Sequence, residues 1–250
     1  YDATAPSVET SAFGFDAVLN ATEDDGDATL TVTTSGVEDG NTVTLAMNGQ
    51  SYTGTVSSDS ASIVVAAADL QALTEGTVAS TADASDSAGN AATQHGGSFT
   101  HDASASIASS GFDFDGLLNA TEDDGDATLT VATADVDDGS TVTLTLNGQT
   151  YTGTVSSGSA SVVVAAADLQ ALTEGTVAYT ADVSDSAGNA ATQHSGSFSY
   201  DATLPAAATV QSLLTGDSTP ELTGSFDSAD SGIESITVNN NTYTTENSAL

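Results

Sequence analysis

Apolar residues alternate with Thr, Ser and Ala through much of the chain: Leu30 and Val32, then Val43, Leu45 and Met47, then Ile63 and Val65 stand two positions apart. A period of two is the mark of β-strands with one buried face, and the abundance of Thr and Val agrees with it. Asn48-Gly49 and Asn147-Gly148 each separate two such runs. Both residue types accept positive φ, so the pairs predict tight hairpin turns, with the next strands starting at Gln50 and Gln149. One stretch breaks the alternation in each half. Residues 66–73 and 165–172 are Ala-rich and set Leu70 with Leu73, and Leu169 with Leu172, on one face. Each is expected to form a short helical piece before Gly76 or Gly175.

The whole pattern occurs twice. Asn20 recurs as Asn119, Asp39-Gly40 as Asp138-Gly139, Tyr52 as Tyr151 and Asp86 as Asp185, always at an offset of 99. Asp2-Ala3-Thr4, Asp102-Ala103-Ser104 and Asp201-Ala202-Thr203 mark three starts. The expected units are therefore 1–100, 101–199 and a divergent third over 200–250. About seven short strands per repeat predict an all-β chain of tandem immunoglobulin-like β-sandwich domains arranged end to end. Other sandwich connectivities remain open at this point. The third unit carries 215–224 in place of the acidic stretch described below and stops about half a repeat in. Half a sandwich cannot bury its own sheet, so the natural chain is expected to continue.

Charge adds a constraint that pattern alone does not. The 250 residues include 35 Asp plus Glu, no Lys or Arg and 3 His, a formal charge of −35. No Lys or Arg ion pair can form within the chain, so neutralisation falls to solvent or bound cations. Such a surface repels phosphate backbones and anionic headgroups, which argues against nucleic-acid binding and direct membrane insertion. Cysteine is absent, so no disulfide supports the domains. The piece has no run of 18 apolar residues and no basic leader, so neither a membrane span nor a signal peptide is expected within it.

The most acidic stretch is Asn20-Ala21-Thr22-Glu23-Asp24-Asp25-Gly26-Asp27, repeated unchanged from Asn119 as Glu122, Asp123, Asp124 and Asp126. Two unit charges about 4 Å apart repel by roughly 4 kcal/mol at an effective dielectric near 20. Carboxylates this close must be splayed, screened by salt or bridged by a metal. Strand order predicts where the loop lies. If the first strand runs from the linker Asp to Leu19, the loop sits at the far pole beside the exit of the last strand, while the Asp86-Ser87-Ala88-Gly89-Asn90 turn returns to the near pole. Stacking the first unit on the second then gathers Glu23, Asp24, Asp25 and Asp27, linker Asp102, and the turn of Asp185 and Asn189 at one junction. Asp83 and Asp182, three positions before the turns, are expected to point the same way.

Several motifs together carry a resemblance: the linker Asp-Ala-Thr-Ala-Pro, Leu-Asn-Ala-Thr-Glu, Val-Thr-Leu-Ala-Met-Asn-Gly-Gln-Ser-Tyr-Thr, Ala-Ala-Asp-Leu-Gln-Ala-Leu and Asp-Ser-Ala-Gly-Asn-Ala. Both full repeats resemble the bacterial Ig-like repeats of giant surface adhesins, and the third unit resembles a sister subtype. The resemblance implies long stalks, usually exported by a type I system and stiffened by calcium at domain junctions. It implies ligand roles for Asp2, Asp102 and Asp201, for Glu23 and Glu122, and for Asp86 and Asp185. At the first complete junction the expected set is Glu23 with one or more of Asp24, Asp25 and Asp27, linker Asp102, and Asp185 with Asp182 or Asn189. The same set at the other poles takes in Glu122, Asp123, Asp124, Asp126, Asp83 and Asn90. Two features depart from the family: Lys and Arg are absent altogether, and Ala or Ser replaces the tryptophan often found before the helical piece.

Other motifs lead elsewhere. No EF-hand spacing and no glycine-rich nonapeptide repeat occurs. Asn20, Asn119 and Asn240 begin Asn-x-Thr sequons, and Asp-Ser-Ala-Gly-Asn also reads as an ordinary tight turn. His95, His101 and His194 are scattered, and no nucleophile with a base or phosphate-cradling loop is evident. The expectation is a non-enzymatic, extracellular spacer whose partners are neighbouring repeats. A filament or surface-layer subunit made of identical chains is one alternative. A carbohydrate-binding module is another, weakened by zero Trp and 5% aromatics.

Overall fold

The computed structural model describes residues 2–204, 209–210, 216, 224–225, 235–238 and 241–244. The first repeat holds β1 (Ser7–Phe13), β2 (Val18–Leu19), β3 (Ala28–Ser35), β4 (Thr42–Met47), β5 (Gln50–Thr55), β6 (Ser60–Val65), the helical turn α1 (Ala67–Leu70), β7 (Gly76–Ala84) and β8 (His95–His101). The second repeats them as β9 (Ser106–Phe112), β10 (Leu117–Asn119), β11 (Ala127–Ala134), β12 (Thr141–Leu146), β13 (Gln149–Thr154), β14 (Ser159–Val164), α2 (Ala166–Leu169), β15 (Gly175–Asp182) and β16 (His194–Asp201). Each forms a three-stranded sheet, β1-β3-β6 or β14-β11-β9, facing a five-stranded one, β2-β8-β7-β4-β5 or β10-β16-β15-β12-β13.

Alternation places the core. Leu30, Val32 and Ile63 of the smaller sheet and Val43, Leu45 and Met47 of the larger are at most 2% exposed, with Thr and Ser turned outward between them. Burying one such side chain is worth about 1.5–3 kcal/mol. The hairpins turn as predicted, Asn48 and Gly49 at φ 49° and 75°, Asn147 and Gly148 at 50° and 75°. On the return, β5 runs so close to β6 that a Cβ on Gly54 would stand 2.6 Å from the Ser62 carbonyl oxygen, and Gly153 is equally confined by Ser161.

Three expectations change in detail. The first strand is split: β1 pairs antiparallel with β3, and β2 then joins the other sheet parallel to β8. The crossing residues 14–17 follow Phe13, and Phe13 and Phe15 stack at 4.9 Å with Phe99 set edge-on to both. The split gives eight strands per repeat rather than about seven. The helical piece is also shorter than 66–73. After Leu70 the chain tightens to a Leu73 N–H bond to the Leu70 carbonyl, which still buries both leucines. Finally, β8 extends through His101 and β16 through Asp201, past the expected unit ends.

In the third unit, β17 (Thr209–Val210) pairs with β18 (Gly224–Ser225), and β19 (Ser235–Val238) with β20 (Asn241–Thr244). Most of 215–224, and Asn240 of the third sequon, lie outside the described residues. Among the described residues no helix is long and apolar enough to cross a membrane.

Candidate functional site at the domain junction

The acidic loop spreads its carboxylates instead of gathering them. Glu23 Oε2 accepts the Asn20 N–H at 3.2 Å, Asp25 Oδ1 the Gln71 side-chain N–H at 2.8 Å and Asp27 Oδ1 the Ala67 N–H at 3.0 Å. Asp24 turns inward, buried, with Oδ2 at 3.2 Å from His101 Nε2. The second copy does the same: Glu122 to Asn119, Asp124 to Gln170, Asp126 to Ala166, and buried Asp123 accepting the Tyr200 hydroxyl at 2.7 Å. Each charge has its own donor, and mutual repulsion favours that divergence. The Asp123 bond, with burial, raises the Tyr200 phenol to about 12.

What the loop brings to the junction is backbone and amide. Asn189 Oδ1 accepts the Ala21 N–H across the two sandwiches at 2.8 Å, and Asn20 Nδ2 donates to the Ala187 carbonyl at 3.1 Å. On its other side Asn189 Nδ2 faces three oxygens: the Asp102 carbonyl at 2.8 Å, Asp102 Oδ1 at 3.3 Å and Asp185 Oδ2 at 2.7 Å. Asn189 N–H closes the turn on Asp185 Oδ1 at 2.8 Å. Asn189, 6% exposed, thus ties first repeat, linker and second repeat together. At the first repeat's own near pole, Asn90 makes the same bonds to Asp86 and reaches the Asp2 carbonyl at 3.4 Å. The Asn90 amide holds the Asp86 carboxyl below its usual range. Asp2 and Asp201 each accept an N–H two residues on, from Thr4 and Thr203. Asp83 and Asp182 are held instead by Gln94 and Gln193 of the neighbouring segment.

Beside this tether an acidic cleft of about 370 Å³ opens between the sandwiches. Glu75 and His101 line it from the first, Asp102 from the linker, and Asp135 and Asp137 from the second. Burial raises the Asp102 carboxyl above its ordinary value, and the charges of Asp185, Glu75 and Asp137 raise it further. Asp137 goes the other way, lowered by the hydroxyl and N–H of Ser186. Glu75, Asp135 and Asp137 were not anticipated from sequence. A usable signal existed for Glu75: it precedes Gly76, and antiparallel pairing of Gly76 with His101 sets Glu75 alongside Asp102. Among the described residues no three His, Asp or Glu side chains already converge as a ligand set. The charged groups of the cleft are carboxylates, and the chain offers no Lys or Arg to neutralise them.

No protein-family model and no curated protein matches the sequence. Solved structures do. A Ca²⁺-stabilized adhesin that helps an Antarctic bacterium reach out and bind ice is 31% identical over 98% of this chain and 63% of its own, with a TM-score of 0.48. A 1.5-MDa bacterial ice-binding adhesin is 29% identical over 79% of this chain and 65% of its own, also at 0.48. The chain thus spans less than two thirds of either. A bacterial immunoglobulin-like domain from the M. primoryensis ice-binding adhesin is 33% identical over 39% of this chain and 99% of its own, with a TM-score of 0.30. On that identity across a whole domain, the chain belongs to the bacterial immunoglobulin-like repeats of large adhesins.

Proposed function

We propose that this chain is a spacer in the stalk of a secreted or cell-surface adhesin, and that calcium at the domain junction stiffens it. The observation that carries the proposal is the cleft, where Glu75, Asp102, Asp135 and Asp137 come from both sandwiches and the linker in a chain with no Lys or Arg. These four carboxylates would hold the ion, with Asp185 close enough to act on Asp102. Calcium would supply the positive charge that the chain itself lacks. The Ca²⁺-stabilized Antarctic adhesin among its relatives supports the same reading.

The chain's own residues account for the rest. Asn189 positions the two sandwiches by hydrogen bonds that need no metal. Ionised Asp102, Glu75 and Asp137 oppose that docking, so cation removal loosens it. Extracellular modules typically bind calcium with Kd of about 10⁻⁴–10⁻³ M, which leaves the junction empty in a cytosol and filled outside. No reaction is assigned, and the role is mechanical. Calorimetric titration of the whole chain with calcium tests the reading. A junction site that disappears in the joint variant Glu75→Gln and Asp137→Asn supports it. Undiminished binding by that variant overturns the assigned residues.

A further inference from the structure

The two repeats differ in one place where a side chain is missing. Tyr179 in β15 lies 7% exposed over Gly196, filling the space that a Cβ there would need. Its ring stands edge-on to Phe112 at 5.3 Å and 84°, and its hydroxyl meets Ser110 Oγ at 3.1 Å. In the first repeat Ser80 holds that position, paired with Gly97 as Tyr179 is paired with Gly196. The surroundings are kept. Phe13, Phe15 and Phe99 form the same aromatic triplet as Phe112, Phe114 and Phe198, with ring centroids 4.9–5.3 Å apart in one and 5.0–5.3 Å in the other. Ser11 stands where Ser110 does, its Oγ 3.6 Å from the place of a Cβ on Gly97. What remains is an open cleft of about 210 Å³ walled by Phe13, Phe15 and Phe99 and floored by Ser80 and Gly97.

The second repeat therefore shows what covers this cleft: a phenol ring, edge-on to the first phenylalanine and hydrogen-bonded to the serine of the first strand. We propose that the first repeat binds small phenols in the cleft, with the ring over Gly97 against Phe13 and the hydroxyl on Ser11. Apolar cavities near 150 Å³ already accept a benzene ring, and edge-to-face packing with a polar handle suits a phenol better than an alkane. The site lies on the flank of one sandwich and owes nothing to the junction or its metal.

The test is a ¹⁹F NMR titration of the whole chain with 4-fluorophenol. One saturable site is expected, with Kd on the order of millimolar for so small and open a site. Ser80→Tyr removes it, and Tyr179→Ser, made separately, adds a second of the same kind. Because one variant fills the cleft and the other opens its twin, poor folding of either leaves the other decisive. Fluorobenzene, lacking the hydroxyl, binds roughly fivefold to tenfold more weakly, as loss of one hydrogen bond predicts. Absence of saturation up to about 50 mM, equal binding by parent and Ser80→Tyr, or equal binding of the two probes overturns the proposal.

Discussion

The first and second sandwiches share a strand order and a core, yet they differ where a side chain faces a space that the other repeat fills differently. Leu45 and Leu144 are buried alike at 1% and 0% exposure. Around them Ser80 answers Tyr179, and His101 answers Tyr200 over the same buried Asp, Asp24 or Asp123. Two near-copies thus separate what the fold requires from what it tolerates. The alternating strands, the Asn-Gly turns and the close passage at Gly54 and Gly153 are required. The partner of the buried aspartate and the cover over the flank are variable.

The largest effect should fall on what is common. Leu45→Ala and Leu144→Ala each remove a fully buried leucine and should cost about 2–5 kcal/mol, read by denaturant unfolding of the affected repeat. Equal losses are expected from equal burial. Losses differing by more than the range itself would mean that the sandwiches do not share a core.

Next comes the tether between them. Asn189→Ala leaves the Ala21 N–H without its acceptor and the Asp185 carboxylate without its amide donor, and a lost buried hydrogen bond costs about 1–3 kcal/mol. Hydrogen exchange at Ala21 should accelerate, while exchange in the β3 and β11 strands stays slow. Unchanged exchange at Ala21 would show that the cross-repeat bond is not made. Asn90→Ala, at the pole with no described neighbour, should leave Ala21 untouched.

The smallest effect separates the repeats by pH. Tyr200 is raised to about 12 by Asp123 and burial, whereas an unfolded tyrosine titrates near 10. Its contribution is fully present below pH of about 10 and fades as pH rises through about 12. The second repeat should lose stability over that window more than the first, whose equivalent residue is His101. Tyr52 and Tyr151 are both raised, chiefly by burial, and being equivalent they cancel in the comparison. Tyr200→Phe should erase the difference, as followed by alkaline unfolding. A difference that survives this change would place its origin elsewhere.

Much of this was legible in the sequence, because the information was local. Leu30, Val32, Val43 and Leu45 announce their strands by spacing, Asn48-Gly49 its turn, and the 99-residue offset the duplication. The meeting of loop, linker and turn followed from strand order, since a chain that runs pole to pole fixes which loops share an end. What was hidden depends on distant donors. Nothing near Asp25 or Asp27 reveals that Gln71 and the Ala67 N–H are waiting for them, so a loop that reads as one cluster is four separate hydrogen bonds. Glu75, Asp135 and Asp137 look like ordinary surface acids until the register of β7 against β8 and the stacking of the repeats set them round Asp102. The split first strand was hidden too, because an irregular crossing around Gly14 leaves no mark on the alternation.

The junction carries the functional reading, and its electrostatics give a direction. Asp102 is raised by burial and by neighbouring carboxylates, so its contribution to docking is present while it is protonated and is lost as pH rises through its folded value. Ionised and without a cation, Asp102 should therefore loosen the junction, and calcium should reverse this. Small-angle scattering of the whole chain at neutral pH, with calcium and with chelator, for the parent and Asp102→Ala, measures the claim most directly. The parent should gain length and lose flexibility with calcium, while Asp102→Ala should lose that gain at this junction and keep both sandwiches folded. If Asp102→Ala extends with calcium as the parent does, the cleft is ordinary solvated surface and the junction account fails.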